Sequence, residues 1–318
     1  MRALVYDGLL RLVDDYPLPQ LRPGWALIRV HAAGICKTDM EIMKGYGGFQ
    51  GVLGHEFVGT VERCDKEGWI GTRVVGDINA ACGSCSWCLK GLGRHCPHRV
   101  TLGISGLDGS MADYCTLPLE NLVEVPRGVS DEEAILMEPL AAACEICEQL
   151  TIEKNQRVLV LGDGRLGILC AWVLSTVNPH VILIGRHRDK LDRAAWRTVE
   201  TTDDSRSVVP GADIVVEATG SEGGLEEAIR LCRPRGTIVL KTTIARPRTV
   251  DLTPVVVNEI SMVGSRCGRM TEALRIFKAF PDMPLERIIT ASFPVDQARK
   301  AFSEAARSGA MKTIIRFS

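Results

Sequence analysis

The sequence predicts an α/β protein in which a mostly β domain accompanies a doubly wound parallel sheet that binds a nucleotide. Two observations carry this prediction. A compact apolar strand passes through a G-x-G-x-x-G turn into a helical pattern at 157–177, and short β-rich segments follow it. Ahead of this region, cysteine- and glycine-rich loops alternate with strand-like segments. At 318 residues, the chain is long enough for two domains.

Composition limits the class of partner. The formal net charge is −1, which gives no electrostatic reason to expect nucleic acid or an anionic membrane, so we expect a small, near-neutral partner. No run of about 18 apolar residues occurs, and "MRALVYDG" does not resemble an export signal. We therefore expect a soluble, unsecreted, cytoplasmic protein. In such a chain, twelve cysteines indicate thiolate chemistry or metal binding rather than disulfides.

The first candidate site follows the strand-like stretch "WALIRV", which we expect to end in a glycine-containing turn that presents Cys36. Further along, "GVLGHEFVGTVE" places His55 and Glu56 between two glycines, with another strand after them. Cysteine, histidine and carboxylate are the ligands of an open zinc site. The alternative is that these scattered residues only pack in the core.

A second set consists of four cysteines in the stretch "CGSCSWCLKGLGRHC", which runs from 82 to 96. The C-x2-C-x2-C-x7-C spacing lets one loop close four sulfurs around a zinc ion. Such a shell leaves no coordination position for substrate, so this zinc is predicted to be structural. Its ligands are Cys82, Cys85, Cys88 and Cys96.

A fourth candidate ligand of the open site lies in "SDEEAILMEPLAAACEICEQL". Ser130 and Glu133 form a capping-box pattern that predicts a helix start. Pro139 then interrupts the helix and places Glu138 at a break between two helices. Glu138 is the favoured ligand, and the alternative is a solvated junction carboxylate. Two cysteines are rival ligands, Cys144 and Cys147.

The G-x-G-x-x-G turn predicts a dinucleotide site. Gly162 permits the tight turn, Gly164 lets the backbone approach a pyrophosphate, and Gly167 allows close packing of helix on strand. The start of the following helix then faces the anion. A second strand at "HVILIG" completes a βαβ unit of the right length.

The end of that second strand bears on cofactor choice. Gly185 stands where an acid for the ribose 2′-hydroxyl is expected, and Arg186, His187 and Arg188 follow at once. Two guanidinium groups suit a 2′-phosphate, so the hypothesis is NADP preference. The alternative is NAD, with Asp189 in the acidic role.

Later segments continue the parallel sheet: "ADIVVEATGS", "GTIVLKTT" and "EISMVGS" are short, β-rich and bounded by Gly, Pro or charge. Between Lys190 and Ala212 little chain remains for a helix, a strand and a connection. One crossover is therefore predicted to be trimmed, with "TVETTDDSRSVVPG" as a loop.

Several motifs occur in a fixed order: Cys36, "GHE" at 54–56, the four-cysteine loop, "EPLA" at 138–141 and G-x-G-x-x-G. With "DGSMADYCTLP", "VEATGS" and "KTIIRF", the chain resembles the zinc-containing medium-chain dehydrogenase/reductase family. "EPLA" is more similar to the sorbitol and threonine dehydrogenase branch than to ethanol-type enzymes.

The resemblance implies a domain plan. A GroES-like catalytic domain spans 1–140, with a structural zinc lobe at 80–98, and is completed by 265–318. A Rossmann dinucleotide-binding domain spans 141–264. The family also implies two zinc ions per chain and a homodimer or homotetramer.

The resemblance further implies roles for individual residues. Cys36 and His55 hold the catalytic zinc, and Glu56 and Glu138 serve as direct or exchanging ligand and partner. The other implied catalytic residues are Thr38, which passes the substrate proton onward, and Asp39, which orients the zinc-bound histidine. The implied cofactor residues outside the glycines and the basic turn are Lys37 at the pyrophosphate, Arg165, Leu166 and Thr219.

The implied activity is hydride transfer between a secondary alcohol or polyol and NAD(P), through a zinc-bound alkoxide. An alternative within enzymes is an NADPH-dependent carbonyl reductase of a biosynthetic pathway. A remote alternative is a non-catalytic zinc-ribbon binding module. The balanced charge and the absence of a basic stripe disfavour that module.

Overall fold

The computed structural model describes residues 1–243 and 249–317. The chain divides into two compact units: unit 1 is Met1–Glu138 with Ile289–Ser318, and unit 2 is Pro139–Ile288. Unit 1 thus regains the chain at Ile289, later than the expected residue 265. Among the described residues, no helix is long and apolar enough to cross a membrane.

The strands and helices are short throughout the chain. Residues 1–138 contain β1 (Ala3–Tyr6), β2 (Leu10–Val13), β3 (Trp25–Ile35), α1 (Lys37–Ile42), β4 (Gly51–Val52), β5 (Glu56–Cys64), β6 (Arg73–Gly76), β7 (Asn79–Ala80), α2 (Ser86–Leu89), β8 (Val100–Leu102), β9 (Gly106–Leu107), β10 (Tyr114–Pro118), β11 (Leu122–Glu124) and α3 (Asp131–Ile135). Next come α4 (Met137–Gln149), β12 (Val158–Leu161), α5 (Arg165–Ser175), β13 (Val181–Ile184), α6 (Arg188–Arg193), β14 (Glu200–Thr202), β15 (Ala212–Glu217), α7 (Gly224–Leu231), β16 (Cys232–Leu240), α8 (Thr253–Val257), β17 (Ser261–Gly264) and α9 (Met270–Ala279). The chain closes with β18 (Ile289–Pro294), α10 (Ala298–Ala305) and β19 (Lys312–Arg316).

Unit 1 is built around a seven-stranded sheet in the order β11-β6-β5-β3-β19-β18, with β10 also paired to β3. The central strand β3 does not end in the glycine turn expected from the sequence, and that prediction was wrong. Gly34 lies inside the strand. A glycine is needed there because a Cβ would come within 2.7 Å of Glu56 Oε2. The strand therefore reaches Ile35, and Cys36 follows it directly.

Unit 1 also contains two smaller sheets. One has the order β2-β1-β4, and the other, β7-β8-β9, flanks the four-cysteine loop. Both are three-stranded, which is the smallest sheet expected to be stable with a packed face.

Unit 2 contains a six-stranded sheet in the order β14-β13-β12-β15-β16-β17, and every pairing in it is parallel. In chain order this is 3-2-1-4-5-6, the doubly wound order predicted for a dinucleotide-binding domain. Strand β12 is buried at all four residues, as expected for a strand covered on both faces.

The predicted trimmed crossover is present between β14 and β15. No helix stands between these strands, and residues 203–211 connect them directly. The segment predicted as loop, "TVETTDDSRSVVPG", is a loop apart from the three residues of β14. Those residues pair in parallel with β13 and form the edge strand of the sheet.

The predicted helix start at Ser130 is confirmed. The Ser130 hydroxyl accepts a hydrogen bond from the Glu133 N–H, and the Glu133 carboxylate accepts from the Ser130 N–H. Helix α3 ends at Ile135 with Leu136 as its C-cap, so the break predicted at Glu138 lies two residues earlier, at Leu136. Glu138 lies in the first turn of α4.

Candidate metal centres and nucleotide site

The four cysteines of the loop in unit 1 converge. The sulfur atoms of Cys82, Cys85, Cys88 and Cys96 all lie within 4.8 Å of one another, and four of the pairs are 3.5–3.9 Å apart. Four sulfurs placed tetrahedrally at about 2.3 Å from zinc are about 3.8 Å apart, so the set fits a closed zinc shell.

Backbone hydrogen bonds lower the pKa of Cys82 and Cys85 and favour their thiolate forms, whereas desolvation raises the pKa of Cys88. Amide N–H groups of Ser84 and Cys85 point at the Cys82 sulfur and lower its pKa to about 6. Because the thiolate is the metal-binding form, this arrangement suits metal binding near neutral pH.

A second donor set combines Cys36, His55 and Glu56, whose donor atoms also lie within 4.8 Å of one another. Cys36 is the N-cap of α1, while His55 and Glu56 stand at the start of β5. Strand β3 ends just before Cys36, and its antiparallel neighbour β5 begins at Glu56. The end of one strand therefore lies beside the start of the other, which brings these distant residues together. Thiolate, imidazole and carboxylate leave a fourth position open around zinc.

Asp39 holds this set in place. Its carboxylate is fully buried, accepts a hydrogen bond from the Cys36 N–H at 2.7 Å and another from the Gly54 N–H at 3.2 Å. Its Oδ1 also lies 3.4 Å from His55 Nδ1. With Nδ1 turned towards Asp39, Nε2 is the ring nitrogen left for a metal. The Thr38 hydroxyl lies 3.7 Å from the Cys36 sulfur.

Lys312 is a fully buried cation at this site that the sequence patterns did not single out. Its ammonium group forms an ion pair with Glu56 Oε2 and donates a hydrogen bond to the Ile35 carbonyl at 3.3 Å. Glu56 is 1 % exposed, so both charges are removed from water. The available signal was a lysine between apolar residues in "MKTIIRF".

Glu138 belongs electrostatically to the same site, although it is not within the 4.8 Å donor set. Burial first, then the negative charges of Glu56 and Cys36, raise its pKa to about 8, against the opposing influence of His55 and Lys312. The raised pKa favours the neutral form of Glu138 near neutral pH, and a divalent cation beside it would favour the carboxylate.

The rival ligands Cys144 and Cys147 are not part of either donor set found among the described residues. Burial raises the pKa of both thiols, to about 11 for Cys147, which favours the protonated form. Their surroundings suit packing in α4 rather than metal binding.

The G-x-G-x-x-G turn of unit 2 has the geometry of a phosphate-binding loop. Gly162 has φ +115°, and a Cβ there would lie 2.6 Å from the Ala218 carbonyl oxygen. A Cβ on Gly167 would lie 1.8 Å from the Gly162 carbonyl oxygen, so only glycine allows this packing. Gly164 caps α5 and faces open space, which leaves room for a pyrophosphate at the helix start.

A cavity of about 360 Å³ adjoins this turn. Its lining includes Gly162, Asp163, Gly185, Thr219, Ser205 and Glu227. The Thr219 N–H and hydroxyl both donate to Glu217 Oε1, at 2.9 and 2.6 Å, which fixes the loop after β15. The turn and the cavity therefore fit a dinucleotide.

Only part of the basic turn after β13 lines the nucleotide cavity. Arg186 and His187 line the cavity, whereas Arg188 is not in its lining and pairs with Asp192 at 3.1 Å. Asp189 lies in the first turn of α6, also outside the cavity lining. The sequence patterns missed Asp163, which lines the cavity beside Gly185.

Other predicted cofactor residues lie on helix starts. Arg165 and Leu166 are the first two residues of α5 in unit 2, and Lys37 is the exposed first residue of α1 in unit 1. Their contacts with a cofactor stay predictions.

Comparison with known proteins supports the two-domain fold. Residues 132–317 match the family described as "Glucose dehydrogenase C-terminus", and residues 22–127 match "Alcohol dehydrogenase GroES-like domain". The predicted combination of a GroES-like domain with a parallel-sheet nucleotide domain is thereby confirmed.

Relatives match over nearly the whole chain. D-xylulose reductase A of Aspergillus oryzae is 28% identical, covering 98% of this chain and 96% of that protein. Sorbitol dehydrogenase of Halalkalibacterium halodurans is 28% identical, with 95% and 94% covered. The solved structure of a putative zinc-binding dehydrogenase from Sinorhizobium meliloti 1021, bound to NADP, is 25% identical with a TM-score of 0.88, and 99% of each chain is covered.

Proposed function

Because the chain belongs to the zinc-containing medium-chain dehydrogenase/reductase family, we propose that it transfers hydride between an alcohol and a nicotinamide dinucleotide. The observation that carries this proposal is the convergence of Cys36, His55 and Glu56 donor atoms within 4.8 Å. The family predicted from the motifs is confirmed, and so is its class of reaction.

We infer a secondary alcohol or polyol as substrate. Some relatives are named for xylulose, sorbitol, and erythritol and threitol, which are polyhydroxy compounds or their ketones, and others are named for L-threonine, which carries a secondary alcohol. A second candidate is carbonyl reduction as the main direction, which the name of the xylulose reductase favours. The zinc-ribbon alternative loses support, since it requires only the four-cysteine loop and leaves the second donor set without a role.

The site residues divide the work among themselves. We propose that Cys36 and His55 hold the catalytic zinc, with Glu56 and Glu138 as direct or exchanging partners, and that the four-cysteine loop holds the structural zinc. When bound, the catalytic zinc supplies Lewis acidity and the nicotinamide exchanges the hydride.

Asp39 keeps the His55 ring oriented through Nδ1, and its hydrogen bond to Cys36 fixes the start of α1. The Thr38 hydroxyl, next to the Cys36 sulfur, accepts the proton of the substrate alcohol at Oγ1 and passes it on. In the direction of reduction, the same hydroxyl returns a proton to the product oxygen. Burial of His55 and Glu56 limits the access of water to this side of the site.

The experiment combines metal analysis with activity. We expect two zinc ions per chain, and turnover of polyols or secondary alcohols with at least one of NAD and NADP. Cys36→Ser and His55→Ala should abolish turnover yet leave cofactor binding nearly intact, because the proposed nucleotide residues other than Lys37 lie in unit 2. Cys64→Ser is the matched control, since Cys64 belongs to neither donor set. Unchanged turnover in Cys36→Ser and His55→Ala would contradict the proposal.

We also propose a homodimer, or a tetramer built from dimers, in the cytoplasm. Strand β17 pairs only with β16 among the described strands of its sheet, and Val256 and Val257 in the preceding helix are 75% and 72% exposed. An open strand edge beside apolar side chains suits association with a second copy. Light scattering should give at least twice the chain mass, and Val257→Glu should lower it. A monomeric wild-type chain would contradict this assembly.

A further inference from the structure

Asp163 is a buried carboxylate on the wall of the nucleotide cavity, 8% exposed. Its Oδ2 accepts hydrogen bonds from the N–H groups of Arg186 at 2.6 Å and His187 at 2.7 Å, and lies 3.0 Å from His187 Nδ1. These bonds fix the carboxylate beside the end of β13. Within residues 1–243 and 249–317, the hydrogen bonds of Asp163 all end on Oδ2, so Oδ1 remains for a ligand.

The carboxylate fills the space next to Gly185. A Cβ on residue 185 would lie 2.5 Å from Asp163 Cβ and 2.7 Å from Asp163 Oδ2. Residue 185 is the position from which an acid is expected to reach the ribose 2′-hydroxyl. The acid is therefore missing at this position, but a carboxylate still occupies the neighbouring space, delivered from the glycine-rich turn.

We propose that Asp163 replaces the missing acid at position 185, accepts a hydrogen bond from the adenosine ribose 2′-hydroxyl at Oδ1, and makes the cavity prefer NAD(H) over NADP(H). This inference rests on the proposed dehydrogenase function. It deepens that function by assigning the residue that selects the cofactor, and it competes with the hypothesis drawn from the basic turn.

The charges around the cavity favour this assignment. Besides Asp163, the lining includes the carboxylates of Asp203, Asp204 and Glu227. Glu227 forms an ion pair at 2.7 Å with Arg230, and Arg230 lies outside the cavity lining. A 2′-phosphate brings a charge of about −1.5 to −2 towards these groups.

The cations of the lining oppose this effect only in part. His187 is already bound to Asp163, and the remaining cations are Arg186 and Arg206, both exposed. Salt screens these exposed arginines and the exposed Asp203 and Asp204 alike, whereas it screens the buried Asp163 carboxylate much less. The carboxylate is therefore expected to decide the preference.

The test measures binding, so it does not depend on turnover. Dissociation constants for NADH and NADPH are determined by calorimetry on the zinc-loaded protein. We expect wild type to bind NADH at least about tenfold more tightly than NADPH. Asp163→Asn should remove most of that ratio, because the amide keeps an oxygen for the Arg186 and His187 N–H groups but carries no charge. Asp163→Ser, a smaller neutral side chain, should act in the same direction.

Asp189→Asn is the matched control and should leave the ratio unchanged, since Asp189 lies outside the cavity lining. The inference is overturned if wild type binds NADPH as tightly as NADH, or if the Asp163 variants weaken both cofactors equally. A protein that binds neither cofactor contradicts the proposed function itself, whereas a reversed preference with hydride transfer intact contradicts only the role of Asp163.

Discussion

Replacing Lys312 with methionine should strongly destabilise unit 1. Methionine has a similar length and fills the same space, but it leaves the Glu56 carboxylate buried without its cation. Lys312 is 0% and Glu56 1% exposed, so water does not screen the lost interaction. Removing one partner of such a buried pair costs about 3–5 kcal/mol.

The assay is thermal unfolding by calorimetry, which can resolve the transitions of two units. Mild chelation leaves the Cys36–His55–Glu56 set free of zinc, so that no metal charge stands in for Lys312. For a unit of this size, about 1 kcal/mol shifts the melting temperature by about 2–4 °C, so Lys312→Met should lower it by roughly 6–20 °C. Lys312→Arg keeps the charge and should retain most of the stability.

A double-mutant cycle separates the ion pair from simple packing. In a Glu56→Gln background, Lys312→Met should cost far less than in wild type, because no buried anion is left without a partner. The reasoning fails if Lys312→Met changes stability by less than about 1 kcal/mol, or if the two substitutions are additive.

Three further predictions concern other parts of the chain. Cys88→Ser should lose one zinc of two and expose the cysteine loop to proteolysis, because about 10–16 kcal/mol of metal binding supports such small lobes; metal analysis and limited proteolysis check this. Gly167→Ala should destabilise unit 2 and abolish cofactor binding in calorimetry, since its Cβ would lie 1.8 Å from the Gly162 carbonyl oxygen. The hydrogen bond to His31 lowers the pKa of Asp131, so its stabilisation is full above the unfolded value of about 3.9 and is lost as pH falls through the lower folded pKa; Asp131→Asn should flatten the stability curve there in urea titrations.

Local spacing in the sequence was sufficient for the parts of the site that form within one loop. The C-x2-C-x2-C-x7-C spacing and the strand–turn–helix around Gly162 bring their groups together over short stretches of chain. The capping box at Ser130 was equally local, and the structure shows both of its hydrogen bonds. Such features depend on few dihedral angles, so residue type and spacing determine them.

Long-range pairings were beyond the sequence patterns. Lys312 and Glu56 are 256 positions apart, and only the register of neighbouring strands brings them into contact. Sequence patterns predict a turn at Gly34, because they do not show that a carboxylate from another strand occupies the space a Cβ there would need. The sequence patterns missed Asp163 for a similar reason, because its hydrogen-bond partners Arg186 and His187 lie at the other end of the βαβ unit.

The C-terminal strand β19 lies between β3 and β18 in the large sheet, and Lys312 is bonded to Ile35, 277 positions earlier. During synthesis on the ribosome, the pairing of β3 with β19 must therefore wait until nearly all of the chain has emerged, whereas β3 and β5 are available early. Unit 2 is continuous in sequence and faces no such delay. A chain truncated after residue 288 and released should accordingly contain a protease-resistant nucleotide unit and an incomplete sheet whose exposed strand edges would bind chaperones.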